Sequence, residues 1–236
     1  KAYLVEEVIP ERGNAWTLVL RPDNHPGLRF QPGQFAWITA WDSPFRDHEH
    51  PFSFSGSAST TTRLAFTIKE LGDFTASIKN LSRDQRVYVD GPYGAFSVDR
   101  HPHAPEFVFI AGGIGITPMM SMLRTLADRG DARPLTLIYA NKTLEAATFL
   151  EEIEKLPQRL NLNVVHVLES PPEGWQGEKG YINADLLKRY LPAERLPNRV
   201  EIFICGPAPM MNAVEKALVQ LGVPMGDFHS ERFDLV

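Results

Sequence analysis

The sequence predicts a β barrel plus α/β architecture: a six-stranded antiparallel barrel followed by a doubly wound parallel-sheet domain. Three observations predict it. Up to about residue 99, short segments rich in β-branched and aromatic residues follow one another between turn signals. After residue 105 the apolar runs become continuous and alternate with helical patterns. The 236 residues are enough for two modest hydrophobic cores.

The first part reads as strands over Tyr3–Ile9, Ala15–Leu20, Gln34–Ala40, Phe52–Ser57, Leu64–Lys69 and Arg86–Val89. Pro10-Glu11-Arg12-Gly13 and Pro22-Asp23-Asn24 are turn signals between them. Evenly spaced short strands with no long helical run suggest a small antiparallel barrel. Phe74, Ile78 and Leu81 recur at helical spacing, so Asp73–Leu81 reads as one helix. Asp90-Gly91-Pro92-Tyr93-Gly94 reads as a tight turn closing the barrel. A linker, His101-Pro102-His103-Ala104-Pro105, then separates residues 1–100 from 101–236. Beyond it Phe107–Ala111, Leu135–Ala140, Leu162–Leu168 and Val200–Cys205 are apolar enough for strands buried on both faces. The helical patterns Pro118–Arg129, Glu145–Leu156, Ala184–Tyr190 and Pro209–Leu221 alternate with them, which implies a parallel sheet.

Composition narrows the function. A net charge of -5 argues against a nucleic-acid partner, because phosphate binding needs a basic face. One cysteine, Cys205, allows no internal disulfide and no iron–sulfur cluster held by this chain's own thiolates. No metal site is assigned. No apolar run reaches the roughly 18 residues of a membrane span. No signal peptide is visible. The chain opens on Lys1, directly in a strand pattern, as an excised domain or processed product would.

Several motifs carry chemistry. His50-Pro51-Phe52-Ser53 leads into the strand Phe52–Ser57; a plain strand with a surface histidine is its other reading. Gly72-Asp73-Phe74-Thr75 opens the helix of the first part, where unpaired N–H groups and the dipole favour an anion. An ordinary Asp73 N-cap is the alternative there. Ala111-Gly112-Gly113-Ile114-Gly115-Ile116-Thr117-Pro118 ends a buried strand and starts a helix. Its glycines allow a tight turn and close backbone approach, and the helix start would face a pyrophosphate. Pro118 suits an early helical position. The spacing is not the ordinary G-x-G-x-x-G. The next strand ends Ile138-Tyr139-Ala140-Asn141-Lys142-Thr143, without the acidic residue that binds the ribose hydroxyls of NAD. Lys142 would instead meet a 2′-phosphate. Cys205-Gly206-Pro207 ends the last parallel strand, and a buried cysteine acting as a small hydrophobe is the other reading. Met210 and Met211 read as core, and Glu231-Arg232-Phe233 completes the series.

In this order the motifs resemble the ferredoxin–NADP reductase superfamily over essentially the whole chain. The family usually carries an arginine where this chain has His50; His-Pro-Phe-Ser is similar to its ferric-reductase and NADPH-oxidase branch. The resemblance implies a flavoprotein that takes hydride from a nicotinamide nucleotide. It assigns flavin contacts to His50, Pro51, Phe52, Ser53, Thr67, Lys69, Gly72, Phe74, Thr75 and Phe233. It assigns nucleotide contacts to Gly112, Gly113, Gly115, Thr117, Pro118, Lys142, Cys205, Gly206 and Pro207. Ser53, Cys205, Glu231 and Phe233 would shape hydride transfer: Ser53 and Glu231 near flavin N5, Cys205 near nicotinamide C4, Phe233 as a displaceable cover. The residues after Phe233 depart from the plant-type pattern, which ends on the aromatic. A pyrophosphate at Gly72–Thr75 implies FAD, with FMN left open, and Lys142 implies NADPH, with NADH possible.

Three kinds of acceptor follow from the resemblance. The leading expectation is haem in a transmembrane domain preceding Lys1. The second is a separate small carrier or oxygenase, such as ferredoxin or flavodoxin. The third is no acceptor, in a regulatory flavin-binding subunit. A cytoplasmic location, at the inner membrane in the first case, goes with these expectations.

Overall fold

The computed structural model describes residues 1–40, 50–192 and 200–233. It contains two compact units, residues 1–100 with 117–129 and residues 101–116 with 130–236.

In the first unit β1 (Ala2–Glu11), β2 (Ala15–Pro22), β3 (Phe35–Thr39), β4 (His50–Ser53), β5 (Leu64–Lys69) and β6 (Arg86–Tyr93) form a six-stranded sheet in the order β4-β3-β6-β1-β2-β5. Every pairing in it is antiparallel. Past β4 the chain changes partner, and Phe54 bridges to Phe66 on β5, linking the two edge strands into a barrel. The interior is filled by Tyr3, Leu18, Ile38, Phe54, Phe66 and Val87 among others, all essentially without solvent contact.

Two expectations for this unit are corrected. Asp90–Tyr93 is not a tight turn; it continues β6, whose register against β3 shifts between Phe35 and Trp37. Glycine permits this, since a Cβ at Gly91 would stand 2.9 Å from Ala36 Cβ. The helix is also shorter than the spacing suggests: α1 spans Asp73–Ser77 and tightens into a 3₁₀ turn over Ile78–Asn80. Ile78 still points into the core, as its spacing requires.

In the second unit β7 (Phe107–Gly112), β8 (Leu135–Asn141), β9 (Leu162–Leu168), β10 (Glu178–Lys179), β11 (Glu201–Cys205) and β12 (Phe228–Glu231) form a parallel sheet in the order β10-β9-β8-β7-β11-β12. The helices are α2 (Ile116–Asp128), α3 (Leu150–Ile153), α4 (Ala184–Tyr190) and α5 (Ala208–Gln220). Residues 117–129 of α2 group with the barrel strands. There Ser121 Oγ donates to Gly56 O at 2.8 Å and Arg124 Nη1 donates to Ser55 O at 2.6 Å.

Alternation along buried strands gives each sheet face its own lining. Val108, Ile110, Ile202 and Ile204 pack with Leu187 of α4 and Val214 of α5. Phe107, Phe109 and Phe203 form an aromatic layer of their own. The predicted helix Glu145–Leu156 is broken into a 3₁₀ turn at Leu144–Ala146, α3, and a further 3₁₀ turn at Leu156–Gln158. Phe149, in the left-handed region at φ 63°, interrupts it. No helix of the described residues is long and apolar enough to cross a membrane.

Candidate functional site

In the barrel unit, Ser53 ends β4 opposite Phe35 and is 4% exposed. Its Oγ is buried and has no hydrogen-bond partner among the described residues. An orphaned buried hydroxyl costs about 1–3 kcal/mol. A ligand with a ring nitrogen or carbonyl facing it would remove that cost. Beside it, His50 stacks on Phe74 with ring centroids 4.0 Å apart, and Phe52 lies 6.1 Å from Phe74. Pro51 is exposed and Lys69 half-buried on β5.

Two assigned flavin contacts do not present their side chains as expected. Thr67 is buried, with Oγ1 2.8 Å from Thr17 Oγ1 and 2.9 Å from Ser55 Oγ. Its hydroxyl is therefore spent inside the barrel. Thr75 is not a free donor at the start of α1. Its Oγ1 donates to Gly72 O at 2.9 Å and accepts from the N–H groups of Leu71 and Gly72 at 2.8 and 2.9 Å. Gly72, rather than Asp73, is the N-cap, in an extended conformation with nothing within 4 Å of a Cβ built there.

In the second unit the strand order reverses between β7 and β11, and ligands of open α/β sheets bind outside the carboxyl ends of the strands at such a point. Ala111 and Cys205 are register partners at that end. The glycines that follow serve two purposes. A Cβ at Gly115 would lie 2.3 Å from Cys205 O, and one at Gly112 would lie 2.5 Å from Met210 Sδ. These two glycines, together with Gly206, let the loops after β7 and β11 touch. Gly113 differs, with φ +52° and nothing within 4 Å of its Cβ position. It alone leaves open space at the loop. Thr117 and Pro118 are buried in the first turn of α2, and Pro207 is the N-cap of α5.

Cys205 has no solvent exposure, and burial, then the neighbouring Glu231 carboxylate, pushes its thiol well above the ordinary value. Burial also raises the Glu231 carboxyl. Phe233 follows β12 and is 39% exposed. Lys142 is exposed just past β8, while Asn141 beside it is buried. Sequence reasoning missed Tyr139, whose buried hydroxyl lies 3.2 Å from Gly113 O and 3.3 Å from Thr148 O. A tyrosine inside an aliphatic strand was the available signal, since a buried phenol needs a partner.

Fold and donor set fit the groups that the motifs imply: an orphaned hydroxyl and an aromatic stack in the barrel, and a glycine-cleared loop at the switch point of the parallel sheet. They suit a flavin in the barrel unit and a nicotinamide dinucleotide at the parallel sheet. Comparison with known proteins agrees. The FAD-binding domain profile matches residues 12–97, and the oxidoreductase NAD-binding domain profile matches residues 109–216. The two profiles follow one another along most of the chain, in the arrangement of the ferredoxin–NADP reductase superfamily that the motifs resemble.

Among curated relatives, it is 30% identical over 230 residues to a stachydrine N-demethylase reductase subunit of Rhizobium meliloti, covering 95% of this chain and 64% of that protein. It is 30% identical to the glycine betaine monooxygenase reductase subunit of Chromohalobacter salexigens, covering 96% and 62%. Over 155 residues it is 36% identical to NADH-cytochrome b5 reductase 1 of Pyricularia oryzae, covering 64% and 49%. The chain thus spans between half and two thirds of the length of these relatives. Its fold matches the flavohem-like FAD/NAD binding domain of nitric oxide dioxygenase from Vibrio cholerae, with TM-score 0.82, 25% identity and 99% and 98% of the two chains covered. It also matches the ferredoxin reductase in carbazole 1,9a-dioxygenase, with TM-score 0.82, 26% identity and 99% and 69% covered.

Proposed function

We propose that this chain is the flavin- and nicotinamide-binding part of a reductase that takes hydride from NAD(P)H and passes electrons to a separate protein. The observation that carries the reading is the loop Gly112–Gly115, which packs closely on the Cys205 end of β11 at the sheet's switch point and leaves open space at Gly113. When bound, FAD accepts two electrons as a hydride and releases them singly. The protein's part is to bind and orient. Ser53 would hold the flavin ring through its unpartnered Oγ, and the His50, Phe52 and Phe74 rings would pack beside the cofactor. Pro51, Lys69 and the backbone at Thr67, Gly72 and Thr75 would border it. Gly113 leaves room for the nucleotide pyrophosphate near the start of α2, with Thr117 and Pro118 shaping that turn. Cys205, as a neutral thiol, supplies a small polarisable wall for the nicotinamide rather than a nucleophile. Glu231 sets the polarity beside it, and Phe233 is the aromatic that the nicotinamide displaces. Residues 1–100 and 101–236 would be the flavin and nucleotide domains.

Of the three acceptors, a separate carrier or oxygenase is favoured, because relatives of this chain are named as reductase subunits of a monooxygenase and a demethylase. The expectation of a haem membrane domain rests on the His50-Pro51-Phe52-Ser53 variant and the opening on Lys1, and no named relative adds to it. A cytoplasmic location is part of this proposal. Anaerobic stopped-flow mixing with NADH and NADPH tests the proposal, combined with chromatography of the flavin released on denaturation. Recovery of FAD and its bleaching by either nucleotide are expected. Release of no flavin, or FMN alone, or a flavin that neither nucleotide reduces, contradicts it.

A further inference from the structure

Far from the loops after β7 and β11, three metal-ligating side chains meet on the second unit. His101 comes from the segment before β7, Glu201 opens β11 and His229 lies on β12. Glu201 is 8% exposed, and its two oxygens face different imidazoles. Oε1 is 3.3 Å from His101 Nδ1, and Oε2 is 2.7 Å from His229 Nε2. One ligand atom from each of the three residues lies within 4.8 Å of the other two.

The imidazoles are held by packing. Their centroids are 4.3 Å apart, and both rest on the Phe203 ring, at 5.8 Å from His101 and 5.2 Å from His229. Ligand atoms about 2.0–2.1 Å from a tetrahedral ion stand about 3.3 Å from one another, so only small side-chain shifts separate this arrangement from a coordination sphere. Two imidazoles and one carboxylate are the donor set of a borderline divalent ion and suit zinc better than calcium or magnesium, which prefer oxygen throughout.

We propose that His101, Glu201 and His229 form a binding site for a divalent transition-metal ion of the zinc class. The site is distinct from the proposed hydride-transfer region. Glu201 and Cys205 lie at opposite ends of β11, about 13 Å apart at roughly 3.3 Å per residue. Its consequence is therefore structural. The ion clips the segment entering β7 to β11 and to β12, the strand that carries Glu231, and steadies that strand. Three protein ligands leave a coordination position for water. The sequence assigned no metal because the three ligands lie far apart along the chain and share no spacing motif.

The test uses the purified chain, freed of metal by chelator and titrated with ZnCl2 by calorimetry and with CoCl2 by visible absorption. One Zn(II) per chain is expected, together with a rise in thermal midpoint and a Co(II) spectrum of nitrogen and oxygen ligation. His101→Gln, Glu201→Gln and His229→Gln should each weaken Zn(II) by more than about 100-fold, beyond the usual effect of removing an outer-shell partner. Absence of stoichiometric binding, a thiolate-to-cobalt charge-transfer band implicating Cys205, or unchanged affinity in all three variants overturns the proposal. Should a variant fail to fold by circular dichroism, the wild-type stoichiometry and cobalt spectrum decide alone.

Discussion

Cys205 and Glu231 are register partners at the carboxyl ends of the parallel strands β11 and β12. Alternation places both on the face that also carries Phe203, and the Glu231 carboxylate adds to burial in keeping Cys205 protonated. A nicotinamide at this end of the sheet would meet a neutral thiol with a carboxyl beside it.

Replacing Cys205 by Ala or Glu231 by Gln should therefore slow anaerobic flavin reduction by about ten- to a hundredfold, the scale of a misplaced reacting ring. Flavin content should stay intact. Reduction at the wild-type rate in both variants would show that the pair is only structural. The folded protein should also resist thiol reagents at neutral pH, since the thiolate is the reactive form.

Gly115 and Gly113 should respond differently to alanine. At Gly115 the new Cβ meets backbone, 2.3 Å from Cys205 O, so the β7 and β11 loops must part. Overpacking of this kind costs about 1–3 kcal/mol or more. At Gly113 space is open and only the φ of +52° resists, a penalty of about 1–2 kcal/mol. Urea unfolding should rank Gly115→Ala as the less stable. Gly113→Ala should spare the stability of the loop packing yet impair nucleotide binding, measured as KM. The reverse ranking would refute the division of roles between these glycines.

What the sequence made legible was local. Strand and helix periods, the glycine loop and the order of the motifs depend on neighbours along the chain, and the strands lie close to where they were expected. What it hid was decided across the fold. Phe66, Thr67 and Ile68 are all buried, so alternation could not say that the Thr67 hydroxyl turns towards Thr17 and Ser55. The break at Phe149 is a backbone conformation that helical spacing does not reveal. The continuation of β6 through Gly91-Pro92 depends on how closely β3 approaches. That Ser53 lacks a partner among the described residues, and that His101, Glu201 and His229 meet, are likewise consequences of tertiary packing.

Lys142 should favour NADPH. It is exposed directly after β8, where no acidic residue competes for the ribose. A charge-assisted contact to phosphate is worth about 1.5–3 kcal/mol, or roughly one to two decades in relative kcat/KM. Lys142→Ala should remove most of any preference. Equal use of both nucleotides by the wild type would remove the basis for this assignment.

His166 should make the second unit acid-sensitive. Both ring nitrogens are buried without partners among the described residues, beside the rings of Tyr139 and Trp175 at 6.1 and 6.5 Å. Burial lowers its pKa from the ordinary 6.5, against a weaker pull from Glu154. The unfolded chain therefore takes up this proton first. Stability is undiminished above the unfolded value and falls as pH drops through it towards the folded one, by at most about 1.4 kcal/mol per pH unit. Denaturant midpoints for His166→Phe should show a shallower acid limb than the wild type. Parallel limbs would place the sensitivity elsewhere.

Ser53→Ala should act with opposite signs with and without flavin. In the apoprotein the Ser53 hydroxyl is buried and bonded to nothing among the described residues. Removing it relieves an unmet polar group, which costs about 1–3 kcal/mol, and adds no cavity larger than one atom. The apo variant should thus be as stable as the wild type or more so. If the flavin ring supplies the missing partner, the variant loses a hydrogen bond worth about 0.5–1.5 kcal/mol, and FAD should bind about two- to tenfold more weakly. Stabilisation by saturating FAD should shrink accordingly, because only binding to the folded state contributes to it. Thermal melts of both proteins with and without FAD, paired with a fluorescence titration, give the two signs separately. A destabilised apo variant would mean that the hydroxyl already has a partner inside the barrel. Unchanged FAD affinity would mean that the flavin ring does not meet Ser53.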